Sequence, residues 1–212
     1  MTVESSPGGV SAVMFDFGGV LTEGPFGTFE RYEKERGLPK GFIRSVNATN
    51  HLDNAWARLE RNELTFDEFC DAFSIETEAA GGRVDARTLF PMLSTELRPE
   101  MVEAVRRCRL QFKTALLTNN FMTSVADSRL RDVLLLFDAV LESAVLGVRK
   151  PDPRFYVMAC DALCITPSHA VFLDDLGVNL KPARALGMVT IKVTNADRAI
   201  SELERVVGIP LR

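Results

Sequence analysis

Histidine and cysteine are scarce in this 212-residue chain, which has two of the first and four of the second. The cysteines (Cys70, Cys108, Cys160 and Cys164) show no CxxC spacing, and only His51 and His169 could complete a ligand set, which argues against a zinc site and against a disulfide framework. Cys160 and Cys164 are one helical turn apart and are expected to form a reduced, buried stripe. No apolar run reaches the ~18–20 residues that a membrane span needs. The opening stretch MTVESSPGGVS has neither a positive n-region nor an apolar h-region, so a cytoplasmic protein is expected. A long basic run is also missing. With 25 Lys and Arg against 29 Asp and Glu, the net charge is −4, which argues against nucleic acid or an anionic membrane as partner.

What is present is ordinary globular material, 46% apolar and 25% charged, enough to bury a core and of a length for one domain or one domain with an insertion. After a loose polar tail over 1–10, Ala12-Val13-Met14-Phe15 forms a short apolar run that stops at Asp16. Four more such runs follow: Thr114 to Leu117 before Thr118, Ala139 to Leu141, Ala170 to Leu173 before Asp174, and Met188 to Val193. Helical patterns lie between most of them, at 99–109 behind Pro99, about 153–163, about 178–186 with Gly187 as a stop, and about 196–207 with Gly208 after it. Solid apolar strands alternating with helices predict an α/β fold, a parallel sheet covered on both faces. Residues 24–97 break the rhythm, with several helix signals and no convincing strand. One signal is a capping box at Thr65-Phe66-Asp67-Glu68, opening an apolar-periodic segment through Phe73. This stretch is expected to be a helical insertion that packs on the core as a lid, with Trp56 and its Phe and Met positions as lid core.

Polar residues stand where the buried strands end or loops begin: Asp16, Thr118, Lys150 and Asp174-Asp175. In an open parallel sheet the carboxyl ends of the strands line the ligand crevice, so residues distant in sequence converge there. A carboxylate there can attack phosphorus and form an acyl-phosphate, dividing one hard displacement into two easier ones. Carboxylate and phosphate ester are both anionic, so a hard cation on Asp16 and Asp174 would let them approach, and Mg²⁺ suits one or two carboxylates plus phosphate oxygens. Thr118 offers a hydroxyl donor, backbone N–H groups after it add more, and Lys150 offers a fixed positive charge.

Four runs, Phe15-Asp16-Phe17-Gly18-Gly19-Val20-Leu21, Leu116-Leu117-Thr118-Asn119-Asn120, Arg149-Lys150-Pro151-Asp152-Pro153 and Phe172-Leu173-Asp174-Asp175, resemble the four ordered motifs of the haloacid dehalogenase-like superfamily. The closer resemblance within it is to the phosphatase domain at the N-terminus of soluble epoxide hydrolase and to the related domain of an acyl-CoA dehydrogenase family protein. It covers roughly residues 11–211 and is weakest over 24–97. The resemblance implies a Rossmann-like three-layer core, 11–23 and 98–212, with a helical cap inserted at 24–97. By position it implies Asp16 as nucleophile, with Thr118, Asn119, Gly19 and Lys150 around the phosphate. Mg²⁺ is implied on Asp16, Asp174, Asp175 and the Gly18 carbonyl. A Mg²⁺-dependent phosphatase or phosphotransferase acting on a small phosphate ester is the expectation.

One position departs from the pattern. Most phosphatases of the superfamily carry a second aspartate two residues after the nucleophile, which protonates the leaving oxygen and later activates water; here Gly18 takes its place. General acid/base assistance is typically worth about 10²–10⁴ in rate, so poor leaving groups should suffer most. Glu23 and His51 are candidates to substitute if the cap brings them in. Two alternatives follow from the same departure: a non-catalytic phosphate-binding or regulatory module, and a metal-independent 2-haloacid dehalogenase. The second does not need the acids retained at 174 and 175.

Overall fold

A computed structural model describes residues 9–93, 96–119 and 128–212. The expected tail lies outside the described residues up to residue 8, as does Asn120 of the second motif. Five strands form one parallel sheet: β1 Ala12–Phe15, β2 Lys113–Thr118, β3 Ala139–Glu142, β4 Ala170–Asp174 and β5 Val189–Lys192, in the order β3-β2-β1-β4-β5. The described helices are α1 Phe26–Arg36, α2 Phe42–Ala48, α3 Ala55–Glu60, α4 Phe66–Ala79, α5 Ala86–Leu89, α6 Pro99–Arg109, α7 Ser128–Leu134, α8 Ser143–Leu146, α9 Pro153–Ala162, α10 Gly177–Ala185 and α11 Ala196–Val207.

The central strand shows why the apolar runs are unbroken. All four residues of β1 are buried because both faces of the sheet are covered. Val13 and Phe15 share one core with Met101 and Val105 of α6 and Ile200 and Leu203 of α11. Ala12 and Met14 point the other way, into a second core with Phe155 and Tyr156 of α9 and Leu180 of α10. Element ends follow local chemistry: Pro99 opens α6, Thr65 and Glu68 form a complete capping box on α4, and α11 stops at Gly208 with φ 75°. α10 begins at Gly177 and β5 at Val189, within a residue of the positions read from sequence.

α1 to α5 have a core of their own, built on Phe29, Tyr32, Ile43, Phe69, Phe73 and Leu89. Trp56 joins it as a hub, 5.9 Å from Phe29, 5.5 Å from Phe69 and 5.3 Å from Phe90 between ring centroids. The two ends of this helical stretch meet as an antiparallel bridge between Thr22 and Leu97, beside a 2.7 Å hydrogen bond from Arg98 N to Leu21 O.

The expected Cys160/Cys164 stripe does not form. Cys160 is buried on α9, but the helix ends at Ala162, and Cys164 is exposed in a turn with φ 50°. The i,i+4 relation holds only inside a continuous helix, and this one stops two residues short. Cys70 and Cys108 are buried free thiols.

Candidate active site

The chain runs from β1 outward through β2 to β3 and then returns to β4 on the other side of β1, so the strand order reverses between β1 and β4. Ligand crevices of open α/β sheets form at that switch point, outside the carboxyl ends of the strands. Asp16, immediately after β1, and Asp174, the last residue of β4, sit there side by side, with Asp16 N donating to Leu173 O at 2.9 Å.

Lys150 joins them. Its ammonium lies 2.7 Å from Asp16 Oδ1 and 2.9 Å from Asp174 Oδ2, with Lys150 only 1% exposed. Burial opposes the charge on Lys150, but the two carboxylates outweigh it and raise its pKa, so the ammonium is retained. Asn119 fixes the lysine backbone from both sides: its Oδ1 accepts from Lys150 N at 2.9 Å and its Nδ2 donates to Lys150 O at 3.0 Å. The Lys150-Pro151 bond is cis.

Asp174 is fully buried, with hydrogen-bond partners on both oxygens. It accepts from Leu176 N at 2.8 Å and from Asn179 Nδ2 at 3.0 Å on each oxygen, while Asn179 O accepts from Tyr156 at 2.7 Å. Asp16 accepts from Phe17 N at 2.6 Å, and its pKa is raised well above the usual range by burial, with Asp174 and Asp175 adding to the rise and Lys150 opposing it. Burial likewise pushes Asp175 up to about 6, with Asp174 adding to the rise.

Oxygen atoms of Asp16, Asp174 and Asp175 lie within 4.8 Å of one another. Three carboxylates around a single ammonium leave an excess of negative charge, and the donors are all hard oxygens, a set that fits a small divalent cation. Gly19 makes the approach of Asp175 feasible. It has φ 81°, and a Cβ built on it would lie 2.4 Å from Asp175 Oδ2. Position 18 is the opposite case, since a Cβ there meets nothing within 4 Å.

A cavity of about 510 Å³ opens over this centre. Asp16, Gly18, Thr118, Asn119, Lys150 and Asp175 line its core side, and Phe26, Phe29, Arg44, Asn47, His51 and Trp56 line the side from the helical stretch. Asp174 lies behind this wall and Gly19 beside it, where the Gly19 carbonyl accepts from Arg98 Nη1 at 3.0 Å. Of the two candidate substitutes for the missing acid, His51 lines the cavity, whereas Glu23 is exposed and does not.

The two sides are tied together by a pair that sequence reasoning does not single out. Arg149 Nε lies 2.5 Å from Glu60 Oε2, Arg149 Nη1 donates to His51 O at 3.0 Å, and Trp56 Nε1 donates to Glu60 Oε1 at 3.0 Å. Burial raises the Glu60 pKa while Arg149 opposes the rise. Nothing in the local pattern marks Glu60, since an acid at a helix end reads as solvated. Asn179 is also missed, although five residues after Asp174 on the following helix is a spacing that brings the two together.

A family model described as haloacid dehalogenase-like hydrolase matches residues 10–187. The chain is similar to acyl-CoA dehydrogenase family member 10 of Mus musculus, 37% identical over 206 residues, covering 94% of this chain and 19% of that protein. The chain thus spans about a fifth of that relative's length. It is also similar to phosphatase MT3486 of Mycobacterium tuberculosis (strain CDC 1551 / Oshkosh), 32% identical over 189 residues, covering 84% of this chain and 85% of that one. Among solved structures, a HAD family enzyme of Bacteroides thetaiotaomicron in complex with magnesium and inorganic phosphate shares the fold, with a TM-score of 0.58, 19% identity, and coverage of 86% of this chain and 93% of that one.

Proposed function

The chain belongs to the haloacid dehalogenase-like hydrolase family, and on that premise we propose that it is a Mg²⁺-dependent phosphatase acting on a small phosphate ester through an aspartyl-phosphate intermediate. The observation that carries the reading is the single ammonium of Lys150 held between Asp16 and Asp174 at the sheet's switch point, with Asp175 completing a carboxylate cluster under an open cavity. The similarity to a protein named as a phosphatase supports it.

In this reading an oxygen of Asp16 attacks the phosphorus, the bond from phosphorus to the ester oxygen breaks, and the phosphoryl group is carried on Asp16 until water releases it. Lys150 holds Asp16 in place and offsets charge on the transferring group, while Thr118 and the backbone N–H groups of Asn119 and Gly19 donate to the phosphoryl oxygens. Asn119 acts on Lys150, because its side chain is committed to that residue's backbone. Asp16, Asp174, Asp175 and the Gly18 carbonyl would hold Mg²⁺. The ion would supply charge neutralisation between two anions when bound. Residues 24–97 act as the cap that walls the cavity and selects the ester's body.

The Gly18 position favours a second reading, a phosphate-binding module without turnover. Inorganic phosphate release from a panel of aryl, acyl and alkyl phosphates, with Mg²⁺ and with chelator, separates the two. Release that needs Mg²⁺ and vanishes in Asp16→Asn supports the phosphatase; no release from any ester, with phosphate still bound, supports the module.

A further inference from the structure

With no carboxylate at position 18, the leaving oxygen must take its proton from elsewhere in the cavity wall. Few lining groups titrate. Asp16 and Lys150 are locked into the charged centre, and Asp175 belongs to the carboxylate cluster. Glu60 is committed on both oxygens, to Arg149 at 2.5 Å and to Trp56 at 3.0 Å. Arginine stays protonated throughout the working pH range. Among the described lining residues, that leaves the imidazole of His51.

His51 is also the residue whose main chain is tied to the motif that contains Lys150. Arg149 Nη1 donates to the His51 carbonyl at 3.0 Å, while Nε of the same guanidinium is paired with Glu60. Arg149 is 17% exposed and Glu60 9% exposed at the side chain, so this pair is largely shielded, whereas His51 is an exposed residue that lines the cavity. One guanidinium thus fixes the turn that carries His51 against the residue next to Lys150. Imidazole is the side chain best suited to give and take a proton near neutral pH.

We infer that His51 performs the proton transfers that position 18 leaves open, positioned by the Arg149–Glu60 fork. This rests on the phosphatase reading above. In the first step Asp16 bonds to phosphorus, the bond from phosphorus to the ester oxygen breaks, and the imidazolium of His51 gives its proton to that oxygen. In the second, neutral His51 takes a proton from the attacking water, the bond from phosphorus to Asp16 breaks, and inorganic phosphate leaves with the imidazolium restored.

The test is leaving-group dependence, followed as kcat/KM because that ratio reports steps up to departure of the leaving group. In the full chain with Mg²⁺, His51→Ala and His51→Gln should lower kcat/KM for an alkyl phosphate by about 10²–10⁴-fold. They should change it far less for 4-nitrophenyl phosphate, whose phenolate leaves unprotonated. Added imidazole should restore alkyl turnover in His51→Ala, and so should Gly18→Asp, for which the structure has room. Arg149→Met should show the same split in smaller measure. Equal losses on both esters, or no loss on either, would overturn the role of His51 while leaving the phosphatase intact. No phosphate release by the wild type from either ester would overturn both.

Discussion

Arg149 and Glu60 are 89 residues apart in the chain, yet their side chains meet at 2.5 Å. The pair joins the helical stretch to the loop that carries Lys150. It is largely withdrawn from water, so removing one member leaves the other charge buried without a partner, a loss of about 3 kcal/mol for well-buried pairs. Glu60→Gln and Arg149→Met should each lower the midpoint of thermal unfolding clearly. The double substitution should fall short of the sum of the two, because neither orphaned charge then remains. Thermal melts of the four proteins of this cycle check it, and strictly additive losses would mean that the pair does not couple.

Gly18→Asp should be tolerated and should favour esters with poor leaving groups. A Cβ at position 18 meets nothing within 4 Å, and the backbone there has φ −72°, which any residue adopts. In the His51→Ala protein, a carboxyl group beside Asp16 would take over the proton transfers lost with the imidazole, so alkyl phosphate turnover should rise by up to the roughly 10²–10⁴ that such assistance is worth. Steady-state rates on paired aryl and alkyl esters measure this, with an unchanged melting midpoint as the control.

Chelator-treated protein should lose stability as the pH rises from about 4 to about 6, and Mg²⁺ should oppose that loss. The sign follows from the direction of the shifts. Asp175 is raised to about 6 and Asp16 is raised as well, both chiefly by burial, whereas an unfolded aspartate titrates near 3.9. An acid whose pKa is higher in the folded state takes up more protons on folding, so its contribution is complete below the unfolded pKa and fades as the pH climbs through the folded value. Lys150, also raised, keeps its charge throughout this window. Melting midpoints between pH 4 and pH 7.5, with chelator and with Mg²⁺, should diverge as the pH rises; parallel curves would count against a cation on these acids.

Alkylation of the native protein at pH 8 should label one cysteine, Cys164. It is exposed, whereas Cys70, Cys108 and Cys160 are buried, and burial pushes the thiols of Cys108 and Cys160 up to about 12 and about 11. A thiol that is both buried and protonated does not react. Mass spectrometry should find a single adduct in the native state and four after denaturation. A native protein in which Cys164 is as unreactive as Cys160 would restore the buried stripe that the helix end rules out.

The sheet, the helices of the core and the residues at the strand ends are legible in the chain itself. Val13, Phe15, Val171 and Leu173 advertise their strands because a strand buried on both faces has no polar alternation to hide in. Asp16, Thr118 and Asp174 stand out because an apolar run stops at each of them. Pro99, Gly208 and the Thr65–Glu68 box announce helix ends through backbone geometry that depends only on neighbours. Tertiary structure alone decides the rest. That Lys150 lies between Asp16 and Asp174, that Gly19 yields its Cβ space to Asp175, and that Arg149 reaches Glu60 and His51 are relations between segments 24 to 156 residues apart, created by packing and not by local preference. Cys164 marks the boundary between the two kinds of knowledge: its spacing from Cys160 is a local fact, but whether the helix lasts long enough to use that spacing is settled by where the chain must turn to enter β4.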